Sequence, residues 1–259
     1  MAELIESVAD IAAQAGALAV SRWGTGFETH DKADGSPVCA VDLEVDRFLK
    51  ERLGALLPEA GWLSEETADD PARLARSAVW VVDPIDGTRD YIRGREGFAI
   101  SVALVERGRV VLAVLDAPAR YERWRATLGG GAWRNGARLT ASDRGELTGA
   151  RVPADALAKA DRGVFEAVAK PNSIALRIAM VAAGEADLVA TLRWGNEWDI
   201  AAAALIASEA GAAVSDALGQ PLAFNQPRPR AFGVLATAPG IHAAAVARLA
   251  ERARAAVAV

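Results

Sequence analysis

The chain has 259 residues, 52% of them hydrophobic and 24% charged, which is the balance of a globular protein with sequence enough for one large core or two modest ones. Its formal net charge of −5 argues against a nucleic-acid backbone or an anionic membrane as the main partner, but not against a small anionic substrate. The lone cysteine, Cys39, excludes an intramolecular disulfide, and the acidic N-terminus (Glu3, Glu6, Asp10) lacks the basic region of a secretory signal, so a cytoplasmic protein is expected. The apolar stretches Ile11 to Val20 and Ile200 to Val214 are short, alanine-rich or interrupted by charge, and no integral membrane segment is expected from them.

In chain order, Leu4, Ile5, Val8, Ile11, Ala12 and Ala15 fall at helical spacing and predict an amphipathic helix over residues 3–22. A polar, turn-rich stretch from Thr29 to Pro37 precedes a second helix over residues 40–57, which Pro58 stops. Val79-Trp80-Val81-Val82 predicts a buried strand that ends at Pro84. Residues 98–104 and 109–115 read as strands turning at Arg107-Gly108, and Asn135-Gly136 marks a hairpin within residues 132–139. Beyond about residue 142 strands and helices alternate. Helices are expected over 173–183, closed by Gly184, over 200–210, closed by Gly211, and over 241–257, with strands at 188–191 and near Ala213. The chain thus divides into an antiparallel α+β half, residues 1–142, and an α/β half, residues 143–259.

The densest chemistry is Asp83-Pro84-Ile85-Asp86-Gly87-Thr88, directly after the buried strand. Pro84 interrupts a ladder and Gly87 permits a tight turn, so the two aspartates can converge. Their carboxylates, with the Ile85 carbonyl between them, are the hard oxygen ligands that Mg2+ takes. Thr88 heads a short helical run, where an anion is favoured. Ser64-Glu65-Glu66-Thr67, Asp42 and Trp198-Asp199 each have a plain reading alone, as a surface pair, a polar helix position and a helix N-cap. Their occurrence together, in this order, is the stronger signal.

Lys32-Ala33-Asp34-Gly35-Ser36-Pro37-Val38, Asp42, Ser64-Glu65-Glu66, Asp83 to Thr88 and Glu197-Trp198-Asp199 together resemble the inositol monophosphatase superfamily. The helix from Ile200 to Gly211, followed by Val214, Asp216, Gly219 and Pro221, extends the likeness to about residue 225. The resemblance implies a five-layered αβαβα sandwich and a phosphomonoesterase site between its halves. It implies two or three Mg2+ ions held by Glu65, Asp83, the Ile85 carbonyl, Asp86 and Asp199. Gly87 and Thr88 would contact the phosphate, and Thr88, paired with Asp42 and helped by Glu65, would activate water. Such crowded carboxylates would raise one another's pKa values without cations, which supports a metal site on physical grounds.

The substrate is expected to be a small phosphate ester. Glu197 before Trp198-Asp199, the string from Lys32 to Val38, and Gly94-Arg95-Glu96-Gly97-Phe98 resemble the 3′(2′),5′-bisphosphate nucleotidase, CysQ-like branch. A second phosphate needs a cation beyond the metals, with Lys170 and Arg177 the candidates and Glu197 a further substrate contact. Inositol 1-phosphate and histidinol phosphate are the alternatives, and a non-catalytic phosphate- or metal-binding scaffold is a third class. The resemblance also implies lithium sensitivity and leaves a homodimer open. Cys39 stands in place of the family's threonine, and the Arg193 to Asn196 loop fits no branch.

Overall fold

A computed structural model of the chain describes residues 1–24, 29–31 and 37–257, with side chains for 1–24 and 40–257. Lys32 to Ser36 lie outside the described residues, as do the side chains of His30 and Pro37 to Cys39. Helix α1 (Ala2–Arg22) buries Ile5, Val8, Ile11, Ala12, Ala15 and Ala19, a stripe at helical spacing. Strands β1 (Thr29–Asp31) and β2 (Pro37–Cys39) pair antiparallel and lead into helix α2 (Ala40–Leu56), which ends ahead of Pro58 and packs beside α1.

A seven-stranded sheet follows in sequence order. It comprises β3 (Gly61–Ser64), β4 (Ala78–Asp86), β5 (Ala99–Glu106), β6 (Arg109–Ala117), β7 (Glu122–Thr127), β8 (Gly131–Arg134) and β9 (Ala137–Arg138). The β3–β4 pair is parallel and the other neighbours are antiparallel. Helix α3 (Thr88–Ile92) links β4 to β5. Then come β10 (Ala150–Pro153) and β11 (Phe165–Val168), which pair in parallel, helix α4 (Ile174–Ala182), β12 (Leu188–Ala190) and β13 (Trp194–Asn196). Helix α5 (Glu197–Glu209), β14 (Ala213–Ser215), β15 (Arg230–Phe232), β16 (Leu235–Thr237) and helix α6 (His242–Val257) complete the chain.

The layers follow from which faces are apolar. Strand β4 is buried along its whole length because both of its faces are covered. Val79 and Val81 join a core with α4 and α5, while Ala78, Trp80 and Val82 join one with α1 and α2. Helix α5 buries Ile200 through Ala207 all round, since it lies between the large sheet and the second sheet, ordered β12-β16-β14. Helix α6 covers the outer face of that second sheet through Ala245 and Leu249. The result is a five-layered αβαβα sandwich.

Several expectations are corrected. Strand β4 does not end at Pro84 but runs on to Asp86, with the pairing register shifting between Asp83 and Asp86 where proline has no N–H to offer. The half after residue 142 combines the parallel pair β10–β11 with an antiparallel second sheet. Independently of where the halves divide, one hydrophobic cluster joins Leu63 and Val79 to Ile178, Leu205 and Ala236. Helix α1, with 21 residues and a mean hydropathy of 1.3, is long and apolar enough to cross a membrane, more than Ile11 to Val20 suggests. Its apolar face packs on α2 and β6.

Candidate metal and phosphate site

The bulge in β4 turns the Asp83 to Thr88 segment into one wall of a cleft of about 370 Å3. Glu65, Asp83, Ile85, Asp86, Gly87, Thr88 and Arg89 line it from one half of the chain, and Lys170, Asn172, Ile174, Arg177, Arg193, Asn196 and Asp199 from the other. Carboxylate oxygens of Glu65, Asp83 and Asp199 all lie within 4.8 Å of one another.

Each carboxylate is placed by a local device. Glu65 follows β3, and its turn is gripped on both sides by Asp46 of α2, which accepts hydrogen bonds from Ser64 Oγ at 2.5 Å and Thr67 Oγ1 at 2.6 Å. Asp83 accepts from the Ile85 N–H at 3.0 Å, the local turn that Pro84 favours. Asp199 does not have the N-cap place that its position ahead of an apolar helix suggests when taken alone. Helix α5 starts at Glu197, so Asp199 is the third residue of its first turn and completes a capping box with Asn196, whose N–H it accepts at 3.3 Å. Asp86 accepts from the N–H of Ala175 at 2.7 Å and from Ser173 Oγ, at the N-terminus of α4.

Thr88 Oγ1 lies 3.3 Å from Asp42 Oδ1 and 3.0 Å from the Ile85 carbonyl oxygen, so its one proton is shared between them. Asp42 is buried on α2, one helical turn before Asp46. Gly87 caps α3 with φ 96° and ψ 30°, a left-handed conformation that needs glycine.

The electrostatics of this acidic cluster favour a nearby cation. Burial, then Glu65, Asp86, Asp199 and Asp42, push Asp83 well above the usual carboxylate range. Burial followed by Asp86 and Glu65 raises Asp199 to about 8, and burial raises Asp86 to about 6 against the hydrogen bonds from Ser173 and Ala175. Oxygen donors crowded at this distance, with buried charge unfavourable on its own, fit a hard divalent cation.

The cationic side of the cleft is larger than the sequence suggested. Lys170 is present, bound to exposed Asp155 at 2.6 Å. Arg177 donates from Nε to the Ser173 carbonyl and from Nη2 to that of Asn172, which aims the guanidinium across the mouth of α4. Arg89, Arg193 and Asn196 were missed, because no local spacing ties these polar residues to one opening. Asp46 was also missed, although its place four residues after Asp42 on one helix was legible.

Glu197 is a correction. It is fully buried and faces away from the cleft, accepting from the N–H groups of Asn225 at 2.5 Å and Gln226 at 2.9 Å. Arg73 closes the same knot by donating to the Asn225 side chain and the Gln226 carbonyl. With both oxygens engaged, Glu197 cannot be the substrate contact expected of it. The Gly94 to Phe98 run likewise braces the site from behind, its Gly97 carbonyl accepting from the Ser173 N–H at 2.8 Å.

Residues 1–255 match the inositol monophosphatase family. The chain is 30% identical over 238 residues to the 3′(2′),5′-bisphosphate nucleotidase CysQ of Aggregatibacter actinomycetemcomitans, covering 86% of this chain and 88% of that protein. It is 32% identical over 213 residues to the fructose-1,6-bisphosphatase/inositol-1-monophosphatase of Thermotoga maritima, covering 79% and 81%. Among solved structures, an IMPase of Thermotoga maritima superposes with a TM-score of 0.85 at 28% identity, over 98% of this chain and 99% of that one. A likeness this long takes in every layer of the fold and the acidic cluster with them, so the chain belongs to the inositol monophosphatase family and is a phosphoric monoester hydrolase of small phosphate esters.

Proposed function

We propose that this enzyme is a Mg2+-dependent phosphatase of nucleotides bearing a 3′(2′)- and a 5′-phosphate, working at a cleft between the halves 1–142 and 143–259. The observation that carries the reading is the set Arg89, Lys170, Arg177 and Arg193 on the same cleft as Glu65, Asp83 and Asp199. One phosphate belongs with the carboxylates and their cations; the arginines and lysine exceed what that phosphate needs and suit a second one.

Glu65, Asp83, the Ile85 carbonyl, Asp86 and Asp199 would hold two or three Mg2+ ions, which when bound neutralise the carboxylates and supply Lewis-acid activation. Gly87 and Thr88 meet the scissile phosphate. Thr88 Oγ1 takes a proton from the attacking water as its own proton passes to Asp42, along the 3.3 Å contact between them. Glu65, whose carboxylate lies within 4.8 Å of those of Asp83 and Asp199, would help orient the same water. Arg177, which lines the cleft with Nε and Nη2 held by backbone carbonyls, would meet the remote phosphate at little entropic cost.

The test is kcat/KM for adenosine 3′,5′-bisphosphate against inositol 1-phosphate, with and without Mg2+. The bisphosphate is expected to be preferred, and Arg177→Ala to cost it about ten- to a hundredfold more than it costs the monoester. Preference for inositol 1-phosphate would reject the nucleotide reading while leaving the phosphatase intact.

A further inference from the structure

Strands β13 and β15 form a two-stranded ribbon in which Trp194 stands opposite Phe232 and Asn196 opposite Arg230. Alternation along a strand places Trp194, Asn196, Arg230 and Phe232 on one face of this ribbon. Asn196 lines the catalytic cleft. Trp194 is therefore about 7 Å further along the same face, at two residues' rise.

Its surroundings are those of a ring held for use. Trp194 is 45% exposed, uncommon for so large an apolar side chain, and buried Phe232 fixes it edge to face at 5.5 Å and 68°. The Arg230 guanidinium lies 5.9 Å from the ring centre. Gln226, Pro227, Arg228 and Arg230 complete a pocket of about 550 Å3 around it. The buried knot of Glu197 with Asn225 and Gln226 anchors the loop that carries these residues.

We propose that Trp194, flanked by Arg228 and Arg230, is the platform on which the base of the nucleotide stacks while its phosphates occupy the adjoining cleft. The proposal rests on the nucleotide reading above and adds to it the residue that recognises the base. A planar, electron-rich heterocycle suits an aromatic face bordered by guanidinium groups, whereas a polyhydroxylated ring such as inositol offers no π-face to it. The reach is also right, because a nucleoside spans about the same length as two residues of strand.

The experiment compares wild type, Trp194→Ala, Trp194→Phe and Arg230→Ala on adenosine 3′,5′-bisphosphate and on inositol 1-phosphate, with the oligomeric state of each variant recorded. Trp194→Ala is expected to lower kcat/KM for the bisphosphate by about ten- to a hundredfold, the range of base stacking on an aromatic side chain. Trp194→Phe should retain most of the activity, and inositol 1-phosphate should change by less than about threefold in every variant. If wild type prefers the bisphosphate but Trp194→Ala lowers both substrates alike, or neither, the platform is rejected and the nucleotide reading survives. A change of oligomeric state with an unaltered substrate ratio rejects it too, making the face a subunit contact. Preference of wild type for inositol 1-phosphate overturns both together.

Discussion

At Gly87 the main chain takes a left-handed turn, and an added Cβ would lie 2.6 Å from the Gly97 carbonyl oxygen and 2.9 Å from the Ser173 nitrogen. Gly87→Ala is therefore expected to cost about 1–3 kcal/mol in denaturant unfolding and more than tenfold in kcat/KM, because the turn that lines the cleft must shift to relieve the contact. Asp83→Asn separates metal binding from folding. Burial and the carboxylates around it disfavour the charged form of Asp83, so removing the charge should leave the metal-free protein at least as stable. The same change should lower turnover on the order of a hundredfold and abolish the rise in melting temperature on adding Mg2+. Melting curves with and without Mg2+, alongside rates, check both halves; undiminished turnover would reject Asp83 as a ligand.

Among the elements, α2 does the most for the site without contacting a substrate. It carries Asp42, which meets Thr88, and Asp46, which clamps the turn bearing Glu65 through Ser64 and Thr67. Asp46→Ala should raise the Mg2+ concentration for half-maximal activity by about ten- to a hundredfold, as loss of a residue that orients a ligand does. Rates at saturating Mg2+ should fall far less, and titrations of activity against Mg2+ distinguish this role from a general loss of folding. Helices α4 and α5 contribute through their first turns, where N–H groups meet Asp86 and an Asn196–Asp199 box sets the aim of Asp199. The start of α5 was misplaced by sequence reasoning because Glu197 and Asp199 look like residues ahead of an apolar helix. The capping box places them inside it.

For the molecule as a whole, the junction of helix layer and large sheet holds a pH-sensitive group two strands away from the Asp83–Asp86 segment. Asp116 on β6 is buried against Gly16 of α1, with exposed Arg123 at 3.4 Å, and burial raises its pKa to about 6 against the opposing pull of Arg123. A carboxyl whose folded pKa exceeds its unfolded value adds stability below about pH 4, and that contribution disappears as pH rises through about 6. Asp116→Asn should therefore match wild type near pH 4 and exceed it near pH 8 by on the order of 2 kcal/mol, read from denaturant unfolding at the two pH values. The amino-acid order by itself determined the helices and central strands, because apolar periodicity and the stops at Pro58, Gly184 and Gly211 are local physics. It also pointed to the acidic residues, through a string too specific for a plain turn. Only the tertiary structure decided which residues share the cleft. Glu197 lies beside Asp199 in the chain yet turns into a buried knot with Asn225, while Arg89 and Arg193, far apart in sequence, come to one opening. Side-chain direction at a helix start and the meeting of distant segments depend on how whole layers pack, and no local spacing encodes that.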